Sequence, residues 1–306
     1  MDPEKTYTLA DLKAWDYPGT ALAVIGKPIK HSLSPIMHNA AIDQLMLGDD
    51  QYKEWAYFRF EIDPKDLPEA LALFHDKRFL GLNLTVPHKV IALDLLTAIS
   101  DSAKAIGAVN TLKWTASGYE GFNTDGYGMR QGIQQALGKP LSGNDILILG
   151  AGGAARAAVV ECLSQKASSI RILNRSKDRL DTMLSSLSDL EGYESVIPMK
   201  GKEDLANLPE AGICINATSL GLNQDDPLPL DVSLLGTHWA VYDMVYNPKE
   251  TQLFTEARKQ GRATATGLGM LVHQGAKALE IWTGQSVDAE TMSKAGENAL
   301  YNNLNQ

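Results

Sequence analysis

Residues 146–163, ILILGAGGAARAAVVECL, decide how the chain is read. Four apolar residues run into Gly150-Ala151-Gly152-Gly153-Ala154-Ala155, and a helical stretch of small and apolar residues follows. That is a strand, a glycine turn and a helix in the order that G-x-G-x-x-G/A requires, with Ala155 as the third small residue. Gly150 would make the tight turn, Gly152 would let the backbone approach a pyrophosphate, and Ala155 would keep the helix close to the sheet. The helix N-terminus offers free N–H groups and a positive dipole end, which suit phosphate. The plainer reading is a turn used only for packing, but the flanks are those of a dinucleotide site. The next strand ends in Asn174-Arg175-Ser176, with Arg179 close behind. NAD sites usually place an acid there to bond the ribose 2′-OH. Here a guanidinium stands in that place. Arg175 can hold a 2′-phosphate through charge-assisted, bidentate hydrogen bonds, and Ser176 and Arg179 add donors. The cofactor expected is therefore NADP(H); the competing reading is Arg175 as an exposed strand-end cation.

Working outward, short β-rich runs alternate with helical ones. ALAVIG (21–26), YFRFEI (57–62) and GLNLTV (81–86) read as strands, with amphipathic segments near 36–47 and 65–77 between them. A second set comprises 145–150, 169–174, 212–218, 240–245 and 262–266, preceded by a helix over 126–138 that ends at Gly138-Lys139-Pro140. Such alternation implies α/β architecture with mostly parallel sheets. The residues from Leu268 onward read as two helices split at Gly284-Gln285-Ser286. Too small to fold alone, this tail must pack on one of the domains. The partition expected is residues 1–124 plus 267–306 as an N-terminal α/β domain with returning helices, and 125–266 as the dinucleotide-binding domain. A cleft between two α/β domains is a usual place for a small-molecule site.

Bulk properties exclude several classes. No apolar run approaches the ~20 residues of a membrane span, and the acidic, mixed N-terminus is not that of a signal peptide. A net charge of −9 without any Lys/Arg run argues against nucleic acid. It also means that an anionic ligand must be held by local groups, because the overall field repels it. Cys162 and Cys214 lie in apolar segments without ligand-like neighbours, so no metal site is expected and the thiols read as buried and reduced, in a cytoplasmic protein.

The first domain carries the polar candidates. Ser32 and Ser34 flank Leu33 before Pro35, which opens a helix. Ser34 is a natural N-cap, yet two hydroxyls beside a helix N-terminus also make a carboxylate cradle. In GLNLTVPHK, Asn83 and Thr85 share one face of a strand. Pro87 suits the first helical position, which puts Lys89 near the third. The positive helix end disfavours an ammonium there and favours loss of its proton. Asn110 and Asp125 each read as following an apolar strand and entering a turn. Together these residues gather at carboxyl ends of strands, where open α/β sheets collect ligands. Hydroxyls, amides, one lysine and one aspartate suit a polyhydroxylated carboxylic acid.

In order and spacing, SLSP (32–35), GLNLTVPHK (81–89), GAVNT (107–111), NTDG (123–126), GAGGAARA (150–157), NRS (174–176), NATSLG (216–221), YDMVYNP (242–248) and GLGMLVHQGAKA (267–278) resemble the shikimate dehydrogenase family. The resemblance begins near Ala21 and leaves the first ~20 residues unaccounted for. It implies a substrate domain, a Rossmann-type NADP domain, and reversible NADPH-dependent reduction of 3-dehydroshikimate to shikimate in chorismate biosynthesis. It further implies that Ser32, Ser34 and Tyr246 hold the substrate carboxylate. Asn83, Thr85, Asn110 and Gln274 would bond ring hydroxyls, and Lys89 and Asp125 would form the catalytic pair. Asn174, Arg175 and Arg179 would bind the adenosine phosphates with the glycine turn. Ala217, Thr218, Ser219, Met244 and Gly267 would line the remaining cofactor path, Met244 against the nicotinamide. The alternatives are a quinate or dual quinate/shikimate dehydrogenase and a non-catalytic NADP-binding sensor. Lys89 and Asp125 together argue against the sensor. A homodimer is allowed, though not required, by anything in the sequence, and the role of His273, next to Gln274, is open.

Overall fold

The computed structural model describes residues 1–302. They form two compact units, residues 1–124 with 274 onward, and residues 125–273, the division falling inside one helix.

The first unit is built on seven strands: β1 (Thr6–Tyr7), β2 (Thr20–Gly26), β3 (Trp55–Glu61), β4 (Gly81–Leu84), β5 (Ala98–Ile99), β6 (Thr111–Thr115) and β7 (Gly118–Phe122). Their order is β1-β3-β2-β4-β6-β7-β5. All neighbours are parallel except β6, which runs antiparallel to both β4 and β7. Helices α1 (Leu9–Lys13), α2 (Ser34–Met46), α3 (Leu67–Asp76), α4 (His88–Ile91) and α5 (Asp101–Ile106) connect them. Phe58, Phe60, Phe74, Phe79 and Trp15 form a buried aromatic core on one face of the sheet. The N-terminal residues, for which the sequence offered only a short helix, add β1 to the sheet edge and place Tyr7, Leu12 and Trp15 in that core.

The second unit carries a six-stranded parallel sheet: β8 (Asp145–Leu149), β9 (Ser169–Leu173), β10 (Val196–Pro198), β11 (Ala211–Asn216), β12 (His238–Asp243) and β13 (Thr264–Thr266). The order is β10-β9-β8-β11-β12-β13. Strands on both sides of β8 mean that the chain reverses its winding there, the topological switch point where α/β sheets take ligands. Its helices are α6 (Asp125–Leu137), α7 (Gly153–Ser164), α8 (Lys177–Ser185) and α9 (Gln252–Lys259); α10 (Leu268–Thr283) and α11 (Ala289–Glu297) complete the chain. Cys162 and Cys214 are fully buried, and burial pushes both thiols up, so neither is a nucleophile.

The C-terminal helices pack on the first unit. Trp282 lies against Gly81, where a Cβ would collide with its ring, and its Nε1 donates to the Leu112 carbonyl at 2.9 Å. On α2, His38 is fully buried and stacks on Tyr57, ring centroids 4.1 Å apart. Neither ring nitrogen has a hydrogen-bond partner, and burial depresses its pKa from 6.5 to about 3. Between those values the unfolded chain binds a proton that the folded chain does not. Stability is therefore whole above the unfolded value and falls by ~1.4 kcal/mol per pH unit below it, down to the folded value. In urea unfolding at about pH 7.5 and about pH 5.5 the native protein should lose ~1.4 kcal/mol more than His38→Phe, because the loss common to both comes from groups such as His88 and His273, whose pKa values burial also lowers. Equal losses in both proteins would mean that His38 does not titrate on unfolding.

Candidate active site

On the substrate side, Ser34 is buried, and its hydroxyl is not spent on capping. Leu33 is the N-cap of α2, Ser34 and Pro35 are the first helical residues, and no side chain caps the helix. This corrects the expectation of a Ser34 N-cap. The Ser32 hydroxyl accepts from the Ser34 N–H at 3.3 Å, which sets the two serines side by side.

A tyrosine that sequence reasoning passed over lies behind them. Tyr57 on β3 is fully buried and donates to Asn83 Oδ1 at 2.7 Å. Burial raises its phenol far above the ordinary value, and a hydrogen bond with Ser34 partly opposes this. Asn83 Nδ2 donates to the Asn110 carbonyl and to Thr111 Oγ1, both at 3.0 Å. Asn110 Oδ1 in turn accepts from the Thr124 N–H and Thr111 Oγ1, each at 2.9 Å. Its Nδ2 donates to Thr124 Oγ1 at 3.0 Å and to Gln274 Oε1 at 3.3 Å. Thr124 Oγ1 also donates to the Gln274 carbonyl at 3.0 Å. Ser34, Asn83, Asn110 and Gln274 thus belong to one buried polar lattice, the arrangement that keeps amides from rotating out of register. Thr85 is placed next to it at the end of β4, where Gly26 leaves room because a Cβ would strike Thr85 Cγ2. Tyr57→Phe strands Asn83 Oδ1, and urea unfolding should show a loss of ~1–3 kcal/mol; an unchanged midpoint and slope would show the bond contributes nothing.

Asn110 does not follow a strand, as the sequence suggested; it precedes β6. Because β6 runs against β4, with Thr111 opposite Asn83, the start of β6 reaches the same edge as the end of β4. Lys89 also shifts. Pro87 is the N-cap of α4, Lys89 is the second helical residue, and α4 is a single turn of four residues. α4 runs without a break into a 3-10 turn, Ala92–Leu95, so Lys89 still stands in the first turn of a helical stretch over 88–95, one position nearer its N-terminus than the sequence suggested. What places Lys89 is its backbone carbonyl, which accepts from the Val109 N–H at 2.8 Å and ties α4 to the segment leading into Asn110. Asp125, the other half of the expected pair, is the first residue of α6, in the second unit. Tyr246 follows β12, and burial raises its phenol.

In the second unit the glycine turn meets the steric demands of a phosphate loop. Gly150 has φ +116°, and a Cβ there would lie 3.0 Å from the Ala217 carbonyl oxygen. Gly152 is the N-cap of α7, and Gly152 and Gly153 both face open space. Ala154 lies in the first turn and Ala155 is fully buried on the sheet side. A recess of about 370 Å³ opens beside them, lined by Ala151, Gly152, Gly153, Arg156 and Arg179 among others. These are the features a pyrophosphate-bearing cofactor needs: exposed amides at a helix start, no Cβ, and cations within reach. Arg156 was missed in the sequence, although a cation in the first turn after a glycine loop is as awkward for the dipole as Lys89 was thought to be. Arg175 is exposed at the end of β9. Asn174 Nδ2 donates to the Ser176 carbonyl at 2.7 Å, and Ser176 caps α8 by accepting from the Arg179 N–H. Asn174 and the Ser176 hydroxyl therefore shape the turn that presents Arg175.

Farther along the sheet edge, Asn216 and Asp243 stand in register at the ends of β11 and β12. Asp243, fully buried, accepts from Asn216 Nδ2 at 2.9 Å, the Val245 N–H at 3.1 Å and Thr251 Oγ1 at 2.5 Å. Burial raises its carboxyl, and those hydrogen bonds oppose the rise. Asn216 Oδ1 accepts from the Thr218 hydroxyl and N–H, so this pair holds Ala217, Thr218 and Ser219 in place. Met244 and Gly267 touch through backbone, and a Cβ at Gly267 would overlap the Met244 carbonyl. His273 is bonded to Gln135 at 2.7 Å. Among the described residues no group of three or more His, Cys, Asp or Glu is gathered to hold a metal, and no helix is long and apolar enough to cross a membrane.

Phosphate room at the switch point of one sheet and an amide–hydroxyl lattice on the edge of another suit the class of two-unit, dinucleotide-dependent enzymes that act on small polar substrates. The family model for the substrate-binding domain of shikimate dehydrogenase matches residues 24–112, and that for the shikimate 5′-dehydrogenase C-terminal domain matches residues 267–295. The shikimate dehydrogenase (NADP+) of Methanopyrus kandleri is 37% identical over 90% of this chain and 93% of its own. That of Geobacter metallireducens is 40% identical over 86% and 91%. The shikimate 5-dehydrogenase of Thermus thermophilus, solved with NADP(H) and shikimate, superposes with a TM-score of 0.80 at 33% identity, covering 92% of this chain and 100% of that one. The chain belongs to the shikimate dehydrogenase family.

Proposed function

We propose that the chain catalyses the reversible NADPH-dependent reduction of 3-dehydroshikimate to shikimate. The observation that carries this is the Ser34–Tyr57–Asn83–Asn110–Gln274 lattice, a rigid array of hydroxyls and amides matched to a polyhydroxylated ring. Ser32 and Ser34 hold the carboxylate, joined by the Tyr246 phenol. Both Asn83 N–H groups are spent inside the lattice, and Oδ1 keeps one lone pair beyond the Tyr57 bond. Asn83 therefore receives a ring hydroxyl proton and offers none. Thr85, Asn110 and Gln274 bond the other ring oxygens. When bound, NADPH supplies the hydride. Lys89 gives the proton to the carbonyl oxygen on reduction and takes it back on oxidation, with Asp125 positioning the ammonium. Stabilisation of the developing alkoxide by the Lys89 charge is the second form of the same role.

On the cofactor side, the turn from Gly150 to Ala155 holds the pyrophosphate, and Asn174, Arg175, Ser176 and Arg179 hold the 2′-phosphate end. Ala217, Thr218, Ser219, Met244 and Gly267 line the path toward the nicotinamide. The buried, unreactive cysteines support a reducing, cytoplasmic setting. Light scattering of the purified chain distinguishes a homodimer, which the sequence allows, from a monomer.

Initial rates with shikimate and with quinate, each against NADP+ and NAD+, test the reading. Shikimate with NADP+ should give the highest kcat/KM of the four. Quinate carries an additional hydroxyl at the carbon bearing the carboxylate, so its acceptance depends on the space beside Ser32 and Ser34. A higher kcat/KM for quinate, or no activity in any combination, would overturn the assignment.

A further inference from the structure

β3 presents a second residue to the substrate edge, two positions beyond Tyr57. Arg59 shares the face of Tyr57, opposite Phe58 and Phe60 in the core. Its Nη1 donates to the Ser32 carbonyl at 3.3 Å, its Nε to Thr6 Oγ1 at 2.9 Å and its Nη2 to the Glu4 carbonyl at 2.5 Å. All three acceptors are neutral oxygens. Among the described residues no carboxylate lies within ion-pair distance of the guanidinium, and the acid that acts on it through space is Glu4, which is exposed. The charge is half-buried and held rigidly behind Ser32. The serines themselves supply only neutral donors, and a protein of net charge −9 repels an anion at long range.

We propose that Arg59 is a positioning residue for the substrate carboxylate, acting through Ser32: it fixes the backbone that carries the first serine and supplies the local positive charge that the cradle lacks. This rests on the reading of Ser32 and Ser34 as the carboxylate cradle. It also gives the N-terminal segment, which lies outside the family resemblance, a task. β1 and the residue two before it hold the guanidinium in a fixed orientation, so that little ordering remains to be done when substrate binds.

The test is steady-state kinetics of Arg59→Gln, Arg59→Lys and Ser32→Ala, with shikimate as the varied substrate at low and high salt. Arg59→Gln should raise KM for shikimate roughly 5–30-fold, with kcat and KM for NADP+ within about threefold and the salt dependence of the shikimate KM flattened. Arg59→Lys, which keeps the charge, should restore most of the loss. Ser32→Ala raising KM while Arg59→Gln leaves it unchanged would refute the role of Arg59 and leave the cradle standing. If Ser32→Ala also leaves KM unchanged, the cradle reading fails and the inference fails with it. Should Arg59→Gln not fold, Arg59→Lys decides: a shikimate KM raised fivefold or more with unaltered salt dependence would show that the charge is not what Arg59 contributes (thresholds of about one exposed ion pair).

Discussion

Replacing Lys89 by alanine is expected to lower kcat by roughly 10²–10⁴-fold, the usual contribution of a positioned acid/base group. KM for shikimate should stay within a few-fold, because the lattice around Asn83 and Asn110 holds the ring without Lys89. The placement of the lysine survives the substitution, since its anchor is the backbone bond from Val109 to the Lys89 carbonyl. The loss therefore reports the ammonium and not a displaced segment. Lys89→Arg separates the two forms of the role. Arginine keeps the charge but does not release a proton at working pH. Recovery of much of the rate in Lys89→Arg would assign the lysine to electrostatic stabilisation of the alkoxide. A rate as low as that of the alanine variant would assign it to proton transfer. An alanine variant that kept most of its activity would remove Lys89 from the chemistry.

Arg175→Ala should change cofactor preference. Loss of charge-assisted bonds to the 2′-phosphate is expected to raise KM for NADP+ roughly 10–100-fold and leave KM for NAD+ nearly as it was, because NAD+ has no phosphate there. Arg175 stands exposed at the end of β9, so part of its effect is screened, and the ratio of the two KM values in the native protein should fall as salt rises. Arg179 lines the recess beside the glycine turn and retains some attraction for phosphate, which limits the loss. A preference for NADP+ unchanged in Arg175→Ala would refute this assignment of the 2′-phosphate site.

What the sequence could and could not reveal follows from the range of the interactions. The glycine turn is local: the φ of Gly150 and the open space beside Gly152 and Gly153 follow from strand, turn and helix within twenty consecutive positions, and the motif carries them whole. The parallel strands were legible because each is a buried apolar run with a helix after it. β6 and β7 were not, because an antiparallel hairpin interrupts that rhythm. That omission placed Asn110 after a strand instead of before one, although the reversed direction of β6 brought it to the expected edge all the same. Tyr57 and Arg59 were hidden for a different reason. Both sit in a strand whose alternation says which residues share a face, but not that one meets Asn83 and the other meets Ser32. Contacts between strands distant in sequence have no local signature. Asp243 was passed over within the quoted YDMVYNP, since its partners Asn216 and Thr251 come from other elements. Lys89 was expected third in its helix and stands second, and the bond from the Val109 N–H that ties its turn down comes from a segment about twenty residues on, which no local pattern announces.

The most direct measurement of the central claim is isotope transfer. The purified chain is given 3-dehydroshikimate and NADPH deuterated at the transferring position, and the product is examined by mass spectrometry and NMR. The account predicts shikimate carrying one deuterium on the carbon that bears the new hydroxyl, at a rate that Lys89→Ala lowers roughly 10²–10⁴-fold. Unlabelled shikimate, or no turnover of 3-dehydroshikimate at all, would contradict it.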